Sequence, residues 1–169
     1  MTTSAQPVSQ DHRYPVWLQG ALVGVTAAIA GIIILLVMGV IGGSGVAILS
    51  AVGMGPWPSV VRALTGASPA VSYVVSHTTL YLIAGIVALT LARIADRLPV
   101  LLIGLVLFTL VVEFVYLEVM TGWQATGRFD VPTWRSVLIA HVVSNGVLLI
   151  GTLWVHPSLR AAFRRAYVE

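Results

Sequence analysis

Four stretches of 21 residues or more in this chain are almost wholly apolar, and they limit what it can fold into. They are VWLQGALVGVTAAIAGIIILLVMGVI (16–41), AVSYVVSHTTLYLIAGIVALTLA (70–92), VLLIGLVLFTLVVEFVYLEVM (100–120) and RSVLIAHVVSNGVLLIGTLWV (135–155). A helix that crosses the hydrocarbon of a bilayer needs about 20 such residues. Within lipid every backbone polar group must be satisfied inside its own segment, which leaves helices or closed barrels. Unbroken apolar runs of this length, without residue-by-residue alternation, point to helices.

Composition supports the same solvent. Hydrophobic residues make up 58% of the 169 and charged residues only 9%, against roughly 45–50% and about 25% in a soluble domain. The expectation is an all-α integral membrane four-helix bundle forming one domain over 16–155. A polar tail (1–15) precedes it and a basic cytoplasmic tail (156–169) follows. The first apolar run exceeds the short core of a signal peptide, about 7–15 residues, and reads as a retained anchor.

The connection between the first two spans holds a glycine-rich turn, GGSG (42–45), expected to be flexible. GVAILSAVGM (45–54) is too short to cross and is expected to lie at the interface or re-enter. PWPSVVRAL (56–64) reads as a short interfacial helix with Trp57 at headgroup depth. Ser68 and Pro69 read as the N-cap and first residue of the second span.

All nine basic residues are arginine, and their placement sets an orientation. With the N-terminus inside, Arg13, Arg93, Arg97, Arg160, Arg164 and Arg165 face the cytoplasm and Arg62, Arg128 and Arg135 face outward. Basic residues near span ends favour the cytoplasmic side, so an N-in, C-in topology follows. The scattered arginines form no stripe for a phosphate backbone, which argues against nucleic-acid binding. No cysteine is present, which removes disulfides, thiolate metal sites and a catalytic thiol. No nucleophile elbow, P-loop or dinucleotide fingerprint occurs, and nothing marks the chain as an enzyme.

Polar side chains inside the spans carry the functional expectation. A charge in the membrane interior costs at least about 2.5–3.5 kcal/mol on insertion scales and therefore seeks partners in the bundle core. Counted from opposite ends of antiparallel neighbours at ~1.5 Å per residue, His77, Glu113 and His141 all fall roughly 10 Å below the outer surface. Tyr73 and Tyr81 flank His77 at helical spacing, Thr109 and Tyr116 flank Glu113, and Ser144 and Asn145 accompany His141. These neighbours are expected to orient the three central groups.

Three chemistries fit such a layer. Two imidazoles and a carboxylate suit a zinc, iron or copper ion. Two histidines on different helices can ligate a b-type haem. A carboxylate beside histidine can pass protons. A hydrogen-bonded polar core that only fixes helix register is the structural alternative. Glu118, a turn further out, reads as an interfacial acid, and His12 and His156 read as solvated residues at the membrane surface. The first span also carries Gly20, Gly24, Ala27, Ala28 and Gly31 at spacings that permit close helix approach. That face is a candidate contact with a larger membrane complex or a second copy, which suits a cofactor-free accessory subunit.

The stretches QGALVGVTAAIAG, SHTTLYLIAGIVALTLAR and LIAHVVSNGVLLIG give the whole chain a likeness to a known group. It resembles small uncharacterised four-span bacterial inner-membrane proteins. The resemblance implies a compact helical fold in the bacterial inner membrane and brings no functional residues with it.

Overall fold

The computed structural model describes residues 14–95 and 131–156. Among them are five helices: α1 (Val16–Ile41), α2 (Ala47–Val52), α3 (Pro56–Thr65), α4 (Pro69–Ala95) and α5 (Val131–Val155). Three, α1, α4 and α5, are long and apolar enough to cross a membrane. The expected span at 100–120 lies outside the described residues.

Helix boundaries follow local chemistry. α1 begins directly after Pro15 and α3 has proline in its first turn, where a missing N–H costs nothing. α4 starts at Pro69, and the Ser68 hydroxyl accepts from the Val71 N–H at 3.4 Å, the cap expected there. α3 stops at Gly66, whose φ of 68° is left-handed backbone that glycine adopts without strain. α5 begins four residues before the expected 135, because Pro132 sits in its first turn and is tolerated there.

α1 is the element on which the other two long helices pack, while α4 and α5 touch each other far less. The α1–α4 contact is made at backbone distance. A methyl group built on Gly20 would lie 2.6 Å from the Gly85 carbonyl oxygen, and one on Gly24 would strike the Tyr81 carbonyl. One on Gly85 would strike the Gly20 carbonyl in return. Gly20 against Gly85 and Gly24 against Tyr81 make the pair antiparallel. On α5, Gly151 faces Val23 while Ser144 and Ala140 face Gly31, so α5 also runs antiparallel to α1 and parallel to α4. The small-residue stripe of α1 is therefore spent within the chain: Gly20, Gly24, Ala27, Ala28 and Gly31 are all buried.

The outward surface is apolar. Ile29, Ile33 and Val37 on α1, Val71, Val75 and Ile83 on α4, and Val142, Leu149 and Ile150 on α5 are exposed. Such a continuous apolar exterior suits hydrocarbon as the surrounding medium. Three threonine hydroxyls inside the spans are satisfied within their own helices. Thr26 donates to the Leu22 carbonyl, Thr90 to Ile86 and Thr152 to Leu148, at 2.7–2.8 Å. Among the described residues, the all-helical architecture, three long apolar helices and lipid-compatible exterior point to a membrane protein.

Two clusters fill the core. One gathers Ala27, Ala28 and Tyr81 near mid-height. The other gathers Leu35 of α1, Tyr73 of α4, and Val137 and Ala140 of α5 around Ile48 and Val52 of α2. The segment 45–54 thus folds into a short helix whose apolar face is inserted between the three long ones.

Candidate functional site

The two clusters are joined by a layer of polar and aromatic side chains that includes Tyr73 of one and Tyr81 of the other. α4 presents Tyr73, His77 and Tyr81 at four-residue intervals, so helical geometry stacks them on one face. The Tyr73 and His77 rings are 5.1 Å apart at 29°, and the His77 and Tyr81 rings 4.7 Å apart at 47°. α5 supplies His141, Ser144 and Asn145. The His141 ring meets the Tyr81 ring edge-on, with centroids 5.9 Å apart.

Hydrogen bonds join the two helices at Tyr81. Its hydroxyl donates to the Asn145 amide oxygen at 3.1 Å and lies 3.1 Å from Nδ1 of His141. A phenol carries one proton. With that proton given to Asn145, Nδ1 of His141 is the protonated nitrogen and donates to Tyr81. The neutral imidazole then keeps its lone pair on Nε2. This is the arrangement in which an outer group fixes the tautomer of a metal-binding histidine. Tyr81 and His141 are both buried, at 2% and 5% exposure.

His77 differs. Its Nε2 is a buried atom without a hydrogen-bond partner among the described residues. It sits beside Gly31 of α1, 3.0 Å from where a methyl on that residue would be. The same methyl would collide with the Ser144 hydroxyl and lie 3.3 Å from the Ala140 carbonyl. Ser144 Oγ donates to that carbonyl at 3.0 Å. Gly31 is thus the point of α1 where His77 of α4 and Ser144 of α5 converge. An alanine would fill the space they share.

Of the nine residues singled out from the sequence, six lie in or beside this layer: His77, His141, Tyr73, Tyr81, Ser144 and Asn145. Glu113, Thr109 and Tyr116 lie outside the described residues, as do Glu118 and His12. Among the described residues no three His, Asp or Glu side chains gather in a metal-binding group. His156 corrects an expectation: it is buried rather than solvated, with its backbone N–H on the Thr152 carbonyl, which extends the α5 pattern by one residue. Sequence reasoning placed Gly31 in a packing stripe and missed its role as a spacer for the layer. It also missed Ser72, whose fully buried hydroxyl has no hydrogen-bond partner among the described residues.

No protein-family model matches this chain, and neither the curated proteins nor the solved structures contain a match to it.

Proposed function

We propose that this chain is a four-span protein of a bacterial inner membrane that holds a metal ion in its core through His77 and His141, with Glu113 as a third ligand. One observation carries the reading. Two imidazoles from different helices share a buried layer, one hydrogen-bonded to Tyr81 and the other with a buried Nε2 that no described residue satisfies. Buried polar atoms nearly always have partners. A first-row ion with nitrogen and oxygen ligands, zinc, iron or copper, would supply one. The packing favours such an ion over a b-type haem. A haem needs both Nε2 atoms facing one iron across a flat macrocycle, and the Tyr81 ring is packed on both imidazoles.

The test is elemental analysis and an absorption spectrum of the detergent-purified chain. About one equivalent of a first-row metal without a Soret band is expected, and His77→Ala and His141→Ala should each abolish it. A Soret band would move the assignment to haem. Metal content unchanged in either variant would remove that residue as a ligand.

A second reading, the cofactor-free accessory subunit, is favoured by the Tyr81–His141–Asn145 bonds, which need no ion to hold α4 to α5. Co-purifying partners and a metal-free preparation would select it. Because the Gly/Ala face of α1 is already covered by α4 and α5, such a subunit would dock through another surface. A proton path through the same layer would instead show as flux in vesicles that Glu113→Gln stops.

Connectivity supports the fourth span. α4 and α5 run parallel, so Ala95 and Val131 stand at opposite ends of the bundle, which supports a further crossing between them. At ~1.5 Å per residue the 21 apolar residues at 100–120 cover about 30 Å as a helix, the thickness of the hydrocarbon. The arginine distribution favours both termini inside.

α3 is read as an interfacial helix because its polarity is reversed for a helix facing water. Trp57 and Leu64, 74% and 81% exposed, point outward with Val60. Pro58 is buried, and Ser59 and Arg62 are half-buried against the protein. Its outward face suits the boundary between headgroups and acyl chains.

A further inference from the structure

We infer that α2 is a hydrophobic plug that occludes the histidine layer from the outer aqueous phase and opens by lifting away from the bundle. The inference rests on the packing around the layer, and an ion held by His77 would leave the Ser72 hydroxyl as the remaining polar reason to open. Ile48 and Val52 of α2 are 4% and 6% exposed and pack on Leu35, Tyr73, Val137 and Ala140, which come from all three long helices. Each of these lies one turn or less from the layer: Leu35 from Gly31, Tyr73 from His77, and Val137 and Ala140 from His141. α2 therefore stands directly between the imidazoles and that end of the bundle. At the other end the glycine contacts of Gly20 and Gly24 with α4 close the way at backbone distance.

The plug is attached by segments that can pivot. Gly43 and Gly45 precede it with φ of 77° and 53°, conformations a side chain would resist. Gly53 and Gly55 follow it. Seating is tight on both sides: a methyl on Gly39 would lie 2.7 Å from Ile48 Cγ2, and one on Gly53 would strike the Pro69 carbonyl. α2 has only six residues and begins without a side-chain cap, so little but this seating holds it as a helix.

Two buried polar atoms supply a reason to open. The Ser72 hydroxyl and His77 Nε2 lie next to the plug or just below it, and neither has a hydrogen-bond partner among the described residues. Seated, α2 buries apolar side chains but keeps these atoms dry. Lifted, it exposes Ile48 and Val52 while water reaches the polar atoms. The two costs oppose each other, and that balance makes a two-position element rather than a fixed lid.

The experiment uses the full chain in oriented vesicles. It has no cysteine of its own, so Ala140→Cys, at the boundary between plug and layer, serves as the reporter. A membrane-impermeant maleimide should label it slowly with α2 intact. In an added Ile48→Ala/Val52→Ala background the rate should rise at least tenfold, from the α2 face alone. Equal rates in the two backgrounds would overturn the plug. Should the double variant fail to fold, hydrogen exchange in the unsubstituted chain decides. The amides of 44–55 should exchange together and well before those of α1 and α4. Exchange as slow as in α1 would overturn the proposal.

Discussion

The Tyr81 hydroxyl stands 3.1 Å from Nδ1 of His141, sixty residues further along the chain, and links α4 to α5. The same oxygen donates to Asn145, so one phenol holds two side chains of the neighbouring helix. Replacing it with phenylalanine keeps the ring contacts and removes only the oxygen. Tyr81→Phe should lose about 0.5–2 kcal/mol of stability in detergent, and under the metal reading should weaken binding by about 10–100-fold. Unfolding midpoints and metal titration of the purified variant measure the two effects. An unchanged midpoint would mean the oxygen holds nothing.

The contact of α1 with α4 should tolerate no side chain. Gly85→Ala drives a methyl into the Gly20 carbonyl and the Gly24 backbone, and should cost at least about 1–3 kcal/mol. Gly146→Ala, on α5, meets nothing within 4 Å among the described residues. It should be neutral or gain up to about 1 kcal/mol from helix propensity. Thermal unfolding of the two variants side by side tests the contrast. A harmless Gly85→Ala would mean the helices do not approach as described.

Gly31 and Ser144 should be coupled. Gly31→Ala puts a methyl on the Ser144 hydroxyl and near His77, whereas Ser144→Ala removes the atom that is struck. The double variant should therefore recover about 0.5–3 kcal/mol relative to the sum of the single ones. A double-mutant cycle on unfolding free energy reads this directly. Strict additivity would show that the two residues do not meet.

Cysteine accessibility should report the topology. Ser44→Cys, beside the α2 plug, and Ala125→Cys, between the third and fourth apolar stretches, should react with an impermeant reagent from the same face of the membrane. Ser158→Cys should react only from the opposite face. Labelling of Ala125→Cys together with Ser158→Cys would eliminate the crossing between α4 and α5.

Different parts of this architecture were legible in the sequence to different degrees. The bounds of α1, Val16–Ile41, coincide with the apolar run itself, because hydrocarbon selects composition over the full length of a span. The start of α4 was legible in Ser68-Pro69, since capping is a local property of two or three residues. His77 and His141 could be assigned to one depth by counting along helices. Their link through Tyr81 and Asn145 could not be derived, since it depends on how two helices are rotated about their axes. Gly31 was visible as a small residue, but the atoms that require it to be small come from α4 and α5. The insertion of α2 was legible only as one of two expectations, re-entry beside an interfacial position. AILSAV has the composition of any interfacial segment, and only the gap left by three converging helices gives Ile48 and Val52 somewhere to go. His156 was misread because a helix end beside proline suggests water, whereas burial there is decided by tertiary packing.

The position of α1 beneath both other long helices also carries a kinetic meaning. During synthesis it is complete before either partner exists, so it can act as a template on which α4 docks first and α5 later. Assembly thus has a built-in order, and damage to the small residues of α1 would stall it at the first step rather than merely loosen the finished protein.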